Sequence, residues 1–451
     1  MTDLISGENF LERPRWTCAL GGALAAAGNL PDTVPILHAG PGCAGNFAWT
    51  NNGAAGLAVT GPCLGLSVPA TNLQESEVVF GGIERLREEI LETIEIMEGG
   101  LYFIITGCLP EVIGDDVSSL ATELNSTKHP VVLASTPGFK GDSYLGYGEV
   151  LKTLVKDVVR KGTKKNPKLV NVWGVPPSFD PFWRGNLLGI RELVGLLGYE
   201  ANVLFGPEAN LNTIKSAAGA KKNIVVSGLY GQEAAELFSE LHGVDYVEAP
   251  LPFGAAASER FLEILGQALK VPKKTLKEAV SGARERRYSY LEPLIDVYND
   301  MEAQRHVLVV GDANYALSLA DFFSEDLGWV PELVVVTNSL AKAEKEKLLA
   351  FHKKTGGQKI SRLIFENRAH AIREKALEVW NGNGKKYYDS KTPIFVAGSS
   401  LERSLASELG AGHLSLCYPV SNRAILNRGF TGHFGGLTLM EDLVSVSVAG
   451  R

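Results

Sequence analysis

Apolar runs of about five residues recur along this chain, set off by Gly, Pro or charged positions and separated by longer amphipathic stretches. Rich in Val, Ile, Leu and Phe, the runs predict strands at 34–38, 101–106, 131–135, 169–173, 201–205, 223–227, 245–248, 306–310, 333–337, 362–366, 393–397 and 413–417. Between them, segments such as 83–97 repeat apolar residues at the helical period among Glu and Arg. Strands that alternate with helices predict βαβ units and mostly parallel sheets.

Two shifts in composition divide this series. Residues 156–168 (KDVVRKGTKKNPK) are basic, rich in turn formers and poor in apolar side chains, as a linker is. Residues 282–305 form a charged helical stretch that delivers the chain to the run HVLVV. The expectation is an α/β protein of three Rossmann-like parallel-sheet domains, at 1–165, 166–300 and 301–451. The length agrees, at roughly 150 residues per domain.

Composition narrows the function classes. Hydrophobic residues make up 45% and charged residues 21%, as in ordinary globular proteins. A formal charge of −7 argues against a nucleic-acid partner. The first residues, MTDLISGENFLERPRW, lack the basic and apolar segments of a secretory signal, and the weakly polar stretch 18–27 is too short to span a membrane. Five scattered cysteines do not make a disulfide framework. A cytoplasmic protein with no membrane partner is expected.

The candidate chemistry lies in the first domain. His38-Ala39-Gly40-Pro41-Gly42-Cys43-Ala44-Gly45 follows a predicted strand and contains G-x-G-x-x-G. The next residues show no helical period and no acidic residue before Glu75, so a dinucleotide fingerprint is not supported. Gly-rich loops also stabilise anions, including the sulfides of a metal cluster, through their exposed N–H groups. Cys18 stands where Thr17 could cap a helix running to Ala27, and a thiol in a first helical turn favours the thiolate. Cys108 follows the run LYFIIT, at the strand end where α/β sheets bind ligands. The spacings, 43 − 18 = 25 and 108 − 43 = 65, are far from compact zinc or ferredoxin patterns. By spacing alone, three small buried hydrophobes remain the alternative to three metal ligands.

The order of these motifs resembles the β-type subunit of the nitrogenase component 1 family. Cys18, the loop His38–Cys43, and Cys108-Leu109-Pro110-Glu111-Val112-Ile113-Gly114-Asp115-Asp116 follow that pattern. So do Val78-Val79-Phe80-Gly81-Gly82, Thr136-Pro137-Gly138-Phe139 and Gly432-His433-Phe434-Gly435-Gly436, the last followed by Leu439-Met440-Glu441-Asp442. The likeness implies that Cys18, Cys43 and Cys108 supply half of an iron–sulfur cluster shared with a homologous α-type subunit. That cluster would be of the eight-iron P-cluster type or a four-iron cluster. It also implies an α2β2 assembly fed by an ATP-dependent iron protein, with the catalytic metal cofactor in the α-type partner. Asp115 and Asp116 are expected to cap and orient the helix after Cys108.

Three departures stand out. Gly138 occupies the position where the family often has a serine that can ligate the oxidised cluster, and Ser143 lies nearby. The stretch after Cys43 is small and polar, and no Cys or His appears where the α-type subunit holds its cofactor. These departures favour a methylthio-alkane reductase type, which cleaves C–S bonds, over a dinitrogen-reducing enzyme. A cofactor-assembly scaffold and a tetrapyrrole reductase are further readings. Cys63 and Cys417 read as structural, His38 as a loop hydrogen-bond donor, and Arg284, Arg286 and Arg287 as a solvated helix face. Gly311-Asp312 reads as a βα turn.

Overall fold

A computed structural model of the chain describes residues 14–57, 68–380 and 390–449. Its described strands form three sheets, and every pairing within them is parallel. The first sheet is β1 (Thr33–His38), β2 (Leu101–Thr106) and β3 (Val131–Ser135), in that order. The second has the order β5-β4-β6-β7, with β4 at Leu169–Trp173, β5 at Glu200–Val203, β6 at Lys222–Val225 and β7 at Tyr246–Glu248. The third has the order β10-β9-β8-β11-β12. Its strands are β8 (His306–Gly311), β9 (Val330–Val336), β10 (Leu363–Phe365), β11 (Ile394–Gly398) and β12 (Gly412–Ser415).

Parallel strands need helical crossovers, and the helices cover both faces of a sheet. That is why β1, β2, β4 and β11 are buried at every position and show no inside–outside alternation. One apolar core runs through all three sheets, from Leu20 and Phe103 through Trp173 and Phe253 to Val309 and Phe395. Smaller clusters seal the outer faces of the first and third sheets.

The first sheet is preceded by α1 (Ala19–Gly28) and followed by α7 (Ser143–Thr153). Between them lie α2 (Pro41–Gly53), α3 (Glu75–Phe80), α4 (Ile83–Ile96), α5 (Cys108–Ile113) and α6 (Val117–Leu124). Every residue of α1 is buried, and its glycines let it touch α7 backbone to backbone. A Cβ on Gly22 would sit 1.9 Å from the Ser143 carbonyl oxygen, and one on Gly146 1.9 Å from that of Ala19.

Two expectations are corrected. The segment after Cys43 is helical through Gly53, although it carries no apolar stripe. Pro41 at the first helical position starts it, and Phe47 and Asn51 turn inward while Gly42, Gly45 and Asn46 face out. Arg287 is not a solvated residue. It is 8% exposed on the long helix Lys273–Asp300 and pairs with Asp326 at 3.1 Å. Its neighbours fit the solvated face better: Arg284 pairs with Glu259, and Arg286 lies over the Phe434 ring. The Gly311-Asp312 turn is as expected, with Asp312 capping the next helix through the N–H groups of Asn314 and Tyr315. Among the described residues, no helix is long and apolar enough to cross a membrane.

Candidate metal centre

The order β1-β2-β3 sets the carboxyl ends of three parallel strands along one edge, and the cysteines gather there. Cys18 is itself the residue before α1, in extended backbone, and Thr17 stands one place further out. A bridge to Asp142 and the Ala19 N–H bond to the Gly141 carbonyl (2.9 Å) hold it against the chain leaving β3. Cys43 is the third residue of α2, just beyond the end of β1. Cys108 opens α5 directly after β2, and the preceding Gly107 N–H donates to the His38 carbonyl at 2.9 Å. Residues at the start of a helix face unpaired N–H groups, which favour a thiolate.

Gly138, just past β3, lies between two of these thiols. Its N–H donates to Cys108 Sγ at 3.1 Å. A Cβ on it would come within 3.0 Å of Cys18 Sγ and 3.2 Å of Cys108 Sγ. The third thiol is within electrostatic reach: burial, then the charges of Cys18 and Cys108, push the Cys43 thiol up from its ordinary range. At Cys43 this outweighs the helix start. Burial and mutual repulsion are what a bound cation relieves.

The donor set suits iron. Cys18, Cys43 and Cys108 are free thiols, and soft thiolates select iron–sulfur centres. Among the described residues, no three His, Cys, Asp or Glu side chains converge as they would on a single metal ion. Thiols spaced around an opening fit a polynuclear cluster instead, whose own size separates its ligands. Cys108 is exposed and the other two are half-buried, so the opening faces outward. The same edge bears the exposed side chains of Phe80, Val112 and Phe139, with α3 packed on α5.

A polar brace fixes the loop that carries Cys43. His38 is fully buried, with Nδ1 3.1 Å from Thr71 Oγ1 and Nε2 3.2 Å from Asp115 Oδ2. Burial lowers its pKa, against the raising effect of Asp115. Asp115 also accepts the Gly82 N–H at 2.9 Å, so it ties the Gly81-Gly82 turn at the start of α4 to the histidine. Asp116 does cap, accepting the Ser119 N–H ahead of α6 rather than α5.

The remaining candidates lie elsewhere. Ser143 is fully buried, its backbone pressed on Gly22 and its hydroxyl unpartnered. Cys417 is 2% exposed and packs on Gly311. Cys63 is outside the described residues. Sequence reasoning missed Gly22 and Gly146, which seat Cys18 through α1. The Gly21-Gly22 pair was the visible signal, but its partner helix was not.

Comparison with known proteins gives the family and the fold. The family model described as nitrogenase component 1 type oxidoreductase matches residues 18–447. The chain is 23% identical to the nitrogenase molybdenum-iron protein beta chain of Rippkaea orientalis, over 96% of this chain and 83% of that protein. It is also 23% identical to the nitrogenase iron-iron protein beta chain of Rhodobacter capsulatus, over 97% of this chain and 94% of that protein. A biosynthesis protein, NifE of Rippkaea orientalis, is 26% identical over 73% of this chain and 67% of its own. Among solved structures, nitrogenase Cp1 at pH 6.5 shares the fold with a TM-score of 0.75 at 18% identity, covering 100% of this chain and 97% of that one. The chain belongs to the nitrogenase component 1 type oxidoreductases.

Proposed function

We propose that this chain is the β-type subunit of a two-component, ATP-dependent nitrogenase-like reductase. In this reading Cys18, Cys43 and Cys108 hold its half of an interfacial iron–sulfur cluster. The gathering of these thiols and the Gly138 N–H at one outward-facing strand edge carries the proposal. The beta-chain relatives aligned over nearly the whole chain support the β-type assignment. Phe80, Val112 and Phe139 then border the contact with a homologous α-type partner, in an α2β2 assembly served by an iron protein in the cytoplasm.

When bound, a cluster of this kind supplies one-electron transfer to the partner's metal cofactor. This chain's residues do the positioning. The Gly138 N–H places a donor on the Cys108 sulfur, and hydrogen bonds to sulfur are one lever on iron–sulfur potentials. Asp115 and His38 lock the approach to Cys43. With Gly138 at this point the chain offers no serine ligand beside the thiols, and a Cβ there would crowd Cys18 and Cys108.

The substrate class we favour is methylthio-alkanes, whose C–S bond takes two electrons and two protons to give an alkane and a thiol. A dinitrogen-reducing enzyme is the second reading, supported by the beta-chain relatives, and the NifE relative keeps the scaffold reading as a further one. The test is anaerobic co-expression with an α-type chain and an iron protein, followed by ATP-dependent turnover on dimethyl sulfide and on dinitrogen. Methane and methanethiol support the reading. Ammonia in their place makes the chain a nitrogenase subunit, and no product from either overturns the reductase assignment.

A further inference from the structure

A cavity of about 540 Å³ is lined by residues that follow strands of all three sheets, among them Asp142, which is bridged to Cys18. It lies beyond the carboxyl ends of β6 and β9, where open α/β sheets place ligands. Four carboxylates line it, Asp142, Glu149, Glu233 and Glu344, against one cation, Lys152. Lys152 spans Glu149 at 2.6 Å and Glu233 at 3.0 Å. Asp142 spends Oδ1 on the N–H groups of Tyr144 and Leu145, and no group among the described residues bonds its Oδ2. The wall is therefore left with a surplus of negative charge.

Two independent features point to an occupant. Asn338 lines the cavity and is only 5% exposed. Its Oδ1 accepts the Ala313 N–H at 2.7 Å and the Tyr230 hydroxyl at 3.1 Å, while its amide NH2 has no hydrogen-bond partner among the described residues. The side chain is held by its oxygen, and its amide donor is left open to an acceptor in the cavity. The aromatic rings of Trp16 and Tyr144 complete the lining, and such rings attract cations. The carboxylates stand around the cavity rather than on one point, and no single-ion cage exists among the described residues.

We infer that this interdomain cavity binds a small organic cation, an ammonium or sulfonium, that also carries a hydrogen-bond acceptor for Asn338. The site adjoins the cysteine edge through Asp142, but the inference does not depend on the function proposed above. Gly148 provides the test, because it lines the cavity from α7 and a Cβ there meets nothing within 4 Å. Gly148→Leu would fill the space without touching the wall behind it. Glu344→Gln removes one charge and keeps the side-chain oxygen that accepts the Ala341 N–H.

The experiment is ligand-observed saturation-transfer NMR on the full-length chain, isolated anaerobically with any co-purifying subunits, using choline as the probe and acetate as the opposite charge. Choline should bind saturably. Gly148→Leu should weaken it at least tenfold and Glu344→Gln severalfold, with neither variant unfolding at a lower temperature than wild type. Should Gly148→Leu fail to fold, Glu344→Gln decides alone. Overturning results are no saturable choline binding, binding indifferent to the substitutions, or a preference for acetate.

Discussion

Gly22→Ala is a small change with a sign that the structure fixes. On helix propensity alone, Ala would stabilise α1 by about 1 kcal/mol. At Gly22, however, the new methyl group would stand 1.9 Å from the Ser143 carbonyl oxygen and 2.5 Å from its carbonyl carbon. These are backbone atoms, so no rotamer change relieves the overlap. Restoring ordinary contact separates α1 from α7 by about 1 Å or more, which forfeits much of the dispersion along that seam. Overpacking of this kind costs about 1–3 kcal/mol. It outweighs the propensity gain where the obstacle is rigid, so a net loss of about 1–2 kcal/mol is expected, with Cys18 displaced from Gly138 and Cys108. Gly148→Ala is the matched control on α7, where the methyl group meets open space and stability should rise by up to about 1 kcal/mol. Urea unfolding of the two variants provides the comparison. Equal or higher stability in Gly22→Ala would refute the close crossing that seats Cys18.

Two further predictions concern buried charge. Burial raises Asp180 from 3.8 to about 7, against the hydrogen bonds of Tyr315, Asn186 and Phe182. Its protonated form is therefore favoured by folding, so its stabilising contribution is full below about pH 4 and is lost as pH rises through about 7. The stability of Asp180→Asn relative to wild type should grow by a few kcal/mol between pH 4 and 8, at about 1.4 kcal/mol per unit of pKa shift; parallel profiles in urea titrations would contradict this. Arg15 and Glu402 pair at 2.6 Å with both side chains almost fully buried, and this pair fastens the chain ahead of Cys18 to the third sheet. Arg15→Met strands the carboxylate and should cost about 3–5 kcal/mol, with less lost in the double variant Arg15→Met/Glu402→Gln. A double-mutant cycle by chemical denaturation checks it, and additive losses would rule the coupling out.

The strands were legible because each is an apolar run short enough to read without its partners. All twelve expected runs overlap observed strands, and those at 101–106, 131–135 and 169–173 agree to the residue. Strand order was not legible, yet β1-β2-β3 is what puts Cys18, Cys43 and Cys108 at one edge. Motifs gave the residues, and the sheet gave their meeting place. The helix after Cys43 escaped the periodicity argument because it buries only single residues such as Phe47 and Asn51. A stripe is needed for that argument, whereas Pro41 was a local signal that was available. Arg287 misled for a different reason: its neutralising partner, Asp326, lies 39 residues away, just past the end of another helix. Gly138 was legible as a departure from the family pattern, but its wedge between two thiols required coordinates.

The central claim, that three cysteines of this chain hold an iron–sulfur cluster, is tested most directly by metal analysis. Iron and acid-labile sulfide would be measured anaerobically on the complex isolated through this chain, for wild type and for Cys18→Ala, Cys43→Ala, Cys108→Ala and Cys417→Ala. The account predicts that each of the first three substitutions lowers both iron and sulfide, while Cys417→Ala, in the core, leaves them at the wild-type level. Iron absent from wild type, or indifferent to Cys18, Cys43 and Cys108, would contradict it.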